Sequence, residues 1–396
     1  MKKIVLSVLA ALTLGSVAAE ASSVTLYSDA SGQVFTQAGE GRTAIKSTPV
    51  QAKASKLKFS GNAFLGFTHT DYKDGSTEHD KNEFEVRRAY FQVKGYLLDD
   101  PKSYFRLTLD VKQKDDGDLN IRAKYAYLYL NNILPATSLE LGLVHRPWHS
   151  YETGNAWYFR NISKGFIENK NSSALSSSAD FGFNFKTKTQ YFDSEVGIFN
   201  GEGYHSDFND DENSAASQGL SAEWRATAHI LGVNGKGKQT KKTYFDASFF
   251  GQYNVKHDAA ASHIVGEYND LVFMGVHTVY NQPALLVSAQ YINSLDTTDN
   301  TNEISKHAGS GYSANGEYRF GEKYQFSALA RFDTWTLEEL NSADETKNNT
   351  YIVGVSWKQN KNIQWVANAT VTDNEDDSSR EKYNGTAYMI TTQVKF

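Results

Sequence analysis

The stretch RPWHSYETGNAWYFRNISKGFIENKNSSALSSS (Arg146 to Ser178) concentrates the charge chemistry of this chain. Arg146, Arg160, Lys164 and Lys170 stand there against Glu152 and Glu168. Trp148, Tyr151, Trp157, Tyr158, Phe159 and Phe166 are interspersed and can pack the segment against a wall. Fixed cations favour anions, and fixed carboxylates favour cations, wherever solutes pass close by. Long irregular segments in a compact domain are uncommon unless they are functional. Two placements fit: a loop folded inward to narrow a passage, or a cap outside it. Covalent chemistry has little support. No H-E-x-x-H, G-x-S-x-G or P-loop is present, and the 10 His are scattered without metal-ligand spacing. The absence of Cys removes thiolate zinc sites, thiol catalysis and disulfides together. The expectation is a non-enzyme with no cofactor and no metal; a serine–histidine pair assembled across strands is the catalytic alternative.

The elements that must hold this segment follow a single plan. From Leu57 onward the chain alternates strand, turn, strand, loop. Phe105, Leu107, Leu109 and Val111 interleave with Arg106, Thr108, Asp110 and Lys112. Tyr388, Ile390, Thr392, Val394 and Phe396 interleave with Met389, Thr391, Gln393 and Lys395. This period of two is that of half-buried strands. Sixteen strands are expected, at 57–70, 84–97, 103–113, 119–131, 138–146, 180–187, 191–199, 219–231, 243–255, 270–280, 284–294, 311–320, 324–335, 350–359, 362–372 and 384–396.

The links alternate too. LDDPK, KTKTQ, NQP, GEK and QNK are tight, whereas SDFNDDENSAAS, KHDAAASHIVGEYN and DTTDNTNEISKHAGS are long and polar. VNGKGKQTKK is a long link on the short side, and the link after the third strand is short. Length sorting of this kind, with strands of about ten residues, is that of a transmembrane barrel rather than a soluble sandwich. The fold class expected is therefore all-β: a sixteen-stranded antiparallel transmembrane β-barrel with an inward-folded constriction loop. Closing the sheet satisfies every backbone polar group against hydrocarbon. An even strand number puts both ends of the barrel on the periplasmic side.

The N-terminus supports export. Lys2 and Lys3 precede an apolar run from Ile4 to Leu14, and Ala19-Glu20-Ala21 offers a cleavage site. Residues 1–21 read as a signal peptide, with cleavage after Ala19 as the alternative. The run is too short to span the bilayer as a helix. Residues 22–56 do not fit the strand plan and read as a periplasmic extension, a lumen insert or a disordered stretch. Residues 57–396 form the expected barrel. A formal net charge of −6 with no basic block excludes nucleic acid as a partner. The mean hydropathy of −0.53 resembles that of a soluble protein, yet the chain holds 23 Tyr, 23 Phe and 6 Trp. NDDEN and NEDDSS in the outer loops read as solvated acidic loops; divalent-cation or lipopolysaccharide bridging is the alternative.

Four segments in order then carry a resemblance. FEVRRAYFQVKG (Phe84 to Gly95), LELGLVHRPW (Leu139 to Trp148), ADFGFNF and EVGIFNGEGYH resemble motifs of the phosphate-selective porin family, the O and P type, over residues 80–205. The resemblance implies a Gram-negative outer-membrane porin, a homotrimer, with the loop after the fifth strand narrowing the pore. Departures lie at Leu143-Val144-His145, where the family has Q-F-K, and at Ala179, where it has Arg.

Assigning the more polar face of each strand to the lumen gives one basic wall and one mixed wall. The early strands offer Lys58, Arg88, Lys94, Arg106, Lys112 and Arg146 against Asp110 and Glu140. The later ones offer Lys186, Arg225, Arg319, Arg331, Lys358 and Lys395 against Asp180, Asp193, Glu195, Glu223, Asp246, Glu317 and Asp333. The expected pore-lining and constriction residues are Arg88, Lys94, Arg106, Lys112, Arg146, Arg160, Lys164 and Lys170. The expected function is passive diffusion of small hydrophilic solutes and ions with mild anion preference. A channel specific for phosphate or another small oxyanion, and a structural barrel or adhesin, are the alternatives. Expected partners are outer-membrane lipid, lipopolysaccharide and, through the last strand ending at Phe396, the barrel assembly machinery.

Overall fold

A computed structural model describes residues 27–31, 33–44, 56–73, 78–96, 98–113, 117–204, 219–235, 239–259, 268–297, 308–337, 346–375 and 381–396. The signal-peptide reading and the NDDEN loop lie outside these residues. Within 22–56, β1 (Tyr27–Ser28), β2 (Val34–Phe35) and β3 (Thr43–Ala44) form a small sheet in the order β2-β1-β3, separate from the barrel sheet. Asp29 ties its turn by accepting from the Ser31 and Gln33 N–H groups at 2.9 and 3.0 Å. The Arg42 guanidinium lies 3.5 Å over the Phe35 ring.

The barrel strands are β4 (Leu57–Tyr72), β5 (Lys81–Gly95), β6 (Tyr104–Gln113), β7 (Leu119–Leu134), β8 (Thr137–His145), β9 (Ala179–Lys188), β10 (Phe192–Phe199) and β11 (Ser221–His229). They continue as β12 (Tyr244–Ala259), β13 (Tyr268–Gln282), β14 (Leu285–Thr297), β15 (Gly309–Phe320), β16 (Phe326–Leu337), β17 (Thr346–Lys358), β18 (Ile363–Glu375) and β19 (Gly385–Lys395). Each pairs antiparallel with its sequence neighbours, and β19 closes on β4. The sixteen expected strands are all present, displaced by a few residues at their ends. The expected barrel with its inward loop is the observed fold.

The β19–β4 seam extends to Phe396. Phe396 N–H donates to Gly61 O at 3.1 Å, and Gly61 N–H donates to Phe396 O at 2.8 Å. The Phe396 ring tip occupies the space a Cβ at Gly61 would take, so a larger residue there would displace that ring.

The exterior inverts the pattern of a soluble protein. Val196, Met274, Val276, Val353, Val355 and Ile390 are exposed on outward faces. Near the short links stand Tyr191, Phe192, Phe320, Phe326, Trp357 and Trp365, and toward the long links Phe84, Tyr312, Tyr351 and Tyr388. An apolar band flanked by aromatic girdles suits hydrocarbon bounded by two interfaces. No helix among the described residues is long and apolar enough to cross a membrane.

Two β-bulges position the site. In β5, Phe64 faces Arg88 while Leu65 faces Val86, so Arg87 is extra. In β7, Thr108 faces Tyr125 while Leu109 faces Ala123, so Lys124 is extra. A bulge shifts the side-chain parity of the strand beyond it. Here each bulge turns two adjacent side chains inward: Arg87 with Arg88, and Lys124 with Tyr125.

Candidate functional site: the inward loop and the wall it faces

The loop between β8 and β9 enters the barrel because its aromatic side chains find apolar seats there. Helix α1 (Pro147–Asn155) opens with proline at its first position, where no N–H is needed. Its Trp148 stacks flat on Phe250, with ring centroids 3.8 Å apart. Tyr151 OH donates to Asp246 at 2.7 Å, and Arg225 lies 4.8 Å over the same ring. The chain then crosses to the far wall. Trp157, Phe159 and Ile162 pack with Leu329, Ile352, Val366 and Met389 of β16–β19. Asn161 donates to Thr391 at 2.7 Å, Arg331 to Lys164 O at 2.8 Å, Ser172 to Asp333 at 2.8 Å and Thr350 to Asn171 O at 3.1 Å. Of the two placements open to the sequence, the inward one is observed.

The loop carries its own charge cluster. Glu168 receives Lys164 at 3.1 Å and Arg160 at 3.5 Å, and the His149 Nδ1 is 4.0 Å away. Burial alone would raise the Glu168 carboxyl; Lys164, Arg160 and Lys124 outweigh it and hold the group well below the usual carboxylate range. Burial pushes the His149 imidazole down to about 3, so it is neutral at pH 7. Burial also lowers the Lys164 ammonium and raises the Glu152 carboxyl. Glu152 sits against Gly165, where a side chain would collide with it, and accepts from Phe166 N–H at 3.0 Å and Gln290 at 2.7 Å.

The expected cations divide by their surroundings. Arg106 and Arg160 line a central cavity of about 570 Å³, bounded by the loop, by β4–β7 and by residues of β15 and β17–β19 that include Glu317, Lys358 and Lys395. Arg106 stands 4.5 Å over the Tyr125 ring and donates to Tyr127 OH at 3.1 Å and His145 Nε2 at 3.2 Å. Arg88 pairs with Asp110, which also lies 3.7 Å from Arg122. Lys94 lies 4.2 Å over Tyr104, nearer the short links. Lys112, near the end of β6, and Lys170, on the loop, are exposed. Arg146 is buried and bidentate to Glu223, Nε reaching both carboxylate oxygens at 2.8 and 3.0 Å. The structure therefore brings Arg88, Arg106, Arg160 and Lys164 to one side of the loop, and sets Arg146, Lys112 and Lys170 apart from them.

Lys124 and Arg122 are functional candidates that strict alternation does not select. Lys124 is 1% exposed, and its Nζ has no hydrogen-bond partner among the described residues. It stands between the rings of Tyr90, Tyr204 and Tyr125, at 5.0, 5.2 and 5.7 Å. One sequence signal points to it. Apolar residues fall on odd positions at Ile121 and Ala123, then on even positions at Ala126, Leu128 and Leu130. That parity change is the bulge. The same change in β5 separates Phe84 and Val86 from Ala89, Phe91 and Val93. Among the described residues no group of three or more His, Asp or Glu side chains could hold a metal ion.

No family model and no curated protein matches this chain. Solved structures do. A loop L8 deletion mutant of OmpT, an outer membrane protein of Vibrio cholerae, superposes with TM-score 0.57 at 13% identity, covering 86% of this chain and 99% of that one. Salmonella typhi OmpF, in complex with daunomycin, superposes with TM-score 0.58 at 12% identity, covering 86% and 97%. At this identity the likeness is one of fold: an outer-membrane-type barrel.

Proposed function

We propose that this protein is an outer-membrane porin passing small hydrophilic solutes and ions by diffusion, with a mild preference for anions. The observation that carries this reading is a closed sixteen-stranded barrel, apolar outside, whose lumen is crossed by a seated loop beside a wall of cations. The superposition on outer-membrane barrels supports the location, and a V. cholerae neighbour described as a trimer supports a homotrimer. The preference for anions rests on Arg106, Lys124 and Arg160 around the cavity. Lipopolysaccharide contacts, signal-peptide cleavage and recognition of Phe396 by the assembly machinery complete the reading. Phosphate specificity is a narrower form of it, supported by the motif resemblance over residues 80–205.

Two measurements test it. Protein reconstituted in planar bilayers is expected to conduct and to give a reversal potential of anion sign in a KCl gradient; a closed barrel that passes neither ions nor sugars contradicts it. Deleting Phe396 is expected to lower the yield of assembled barrel in outer-membrane fractions, and unchanged yield contradicts the assembly role.

A further inference from the structure

The central cavity is lined by two carboxylates, Glu168 and Glu317, each already paired with its own cations, and by three further kinds of group whose combination is more specific than anion preference alone. The first is cationic. Lys124 and Arg106 line one side, and Lys358 and Lys395 another. None of these four has a carboxylate within ion-pair distance among the described residues; Arg106 and Lys124 lean on tyrosine rings instead. A ring face attracts a cation without cancelling its charge, so the field into the cavity survives. Lys124 is the extreme case: buried, unpartnered and placed by a bulge that costs the strand its regular pairing. A buried charge left without an acceptor is unfavourable until something supplies one.

The second kind is neutral. Ser60, Asn62, Gln92, Thr108, Gln364 and Gln393 present hydroxyls and amides to the same space. Asn62 Oδ1 has no hydrogen-bond partner among the described residues. The third is aromatic: Tyr90 and Tyr158, both partly exposed, face the cavity from opposite sides, one on the wall and one on the loop.

A simple inorganic anion uses the cations and leaves the amides and rings idle. A neutral sugar uses the amides and rings and leaves Lys124 unpaired. A ring bearing both hydroxyls and a carboxylate engages all three sets, as a pocket with a few convergent polar groups requires. We propose that this cavity binds acidic sugars in transit, uronic acids and their short oligomers, with the carboxylate paired to Lys124 and the hydroxyls held by the amide row. The proposal rests on the channel reading and narrows its solute class.

The test is block of the KCl current through the full-length protein in planar bilayers by digalacturonate, maltose and inorganic phosphate in turn. Digalacturonate is expected to half-block at a concentration about tenfold below either of the others, a difference of about 1.4 kcal/mol. Lys124→Gln is expected to raise that concentration about tenfold, and Lys358→Gln to raise it less. Folding of each variant is read from its heat-modifiable gel mobility. Equal block by phosphate overturns the proposal in favour of a bare anion site. Equal block by maltose overturns it in favour of a neutral-sugar site. No block, or block unchanged in both folded variants, overturns it outright. Failure to conduct at all is a different result and removes the channel reading beneath it.

Discussion

Two walls of the lumen solve the same electrostatic problem in opposite ways. On β8–β12 and at the entry to the loop, Lys186, Arg225 and Arg146 each meet a carboxylate. Lys186 lies 3.1 Å from Glu140 and 3.4 Å from Glu195, Arg225 lies 3.1 Å from Glu195, and Arg146 grips Glu223. His229 is clamped between Asp246 at 2.7 Å and Asp193 at 3.4 Å. On β5–β7 Arg87 and Arg88 pair with Glu85 and Asp110, but the other inward cations meet tyrosines. Lys94 lies over Tyr104, Arg106 over Tyr125, Arg122 over Tyr204, and Lys124 among three rings. Asp110 serves Arg88 and Arg122 there. The first wall spends its charge on holding the barrel and loop together; the second keeps it available. Cation count alone is therefore a poor guide to the field in a lumen, and pairing decides.

The comparison can be broken by substitution. Arg146→Met strands Glu223 as an unpaired buried carboxylate, and a loss of about 3–5 kcal/mol is expected, read from denaturant unfolding in micelles. Trp157→Ala empties the seat of the inward loop on β16–β19, at a cost of about 3–5 kcal/mol. Its readout is different: larger and noisier single-channel conductance as the loop loosens. Lys124→Gln on the tyrosine-lined wall is expected to move the reversal potential toward cations. A charge in water at 4 Å is worth about 1 kcal/mol, which sets the scale of the change in permeability ratio at about fivefold. Lys186→Gln on the paired wall is expected to shift it less, because Glu140 and Glu195 already screen that charge.

Acidification gives the smallest and most graded effect. The His149 pKa is lowered from 6.5 to about 3, so the unfolded chain binds the proton first and loop seating weakens as pH falls from 6.5 toward 3. Glu168 lies below its ordinary 4.5, so its stabilisation is full above 4.5 and fades as pH falls through its depressed value. Glu152, shifted upward, acts with the opposite sign just above 4.5. Conductance is expected to be flat from pH 8 to 7 and to become noisier below 6.5. His149→Gln should remove the upper part of that change and Glu152→Gln should steepen the lower part.

Much of this architecture was legible in the residues. The last strand, expected at 384–396, runs Gly385–Lys395, and 138–146 runs Thr137–His145. Alternation reports these well because each face meets one solvent. It underestimates β12 and β13, which extend to Ala259 and back to Tyr268, where the polar sequence KHDA no longer alternates. The inward loop was legible from its aromatic content. Its seat was not: Leu329, Ile352, Val366 and Met389 are apolar residues on otherwise polar faces, and only the loop lying on them explains why. Pairing was not legible either, because the partners of Arg146 and Asp110 depend on the positions of separate strands. Lys124 was hidden by the bulge, which sets two neighbours inward where alternation allows one.

In the proposed function, selectivity comes from the tyrosine-lined wall of β5–β7. The measurement that reaches it most directly is the reversal potential of the wild-type channel and the Lys124→Gln, Arg106→Gln double variant in the same KCl gradient. An anion-signed potential is expected in the wild type, collapsing toward zero or inverting in the double variant, with the barrel intact. A wild-type potential of cation sign, or one unchanged by removing both charges, contradicts it.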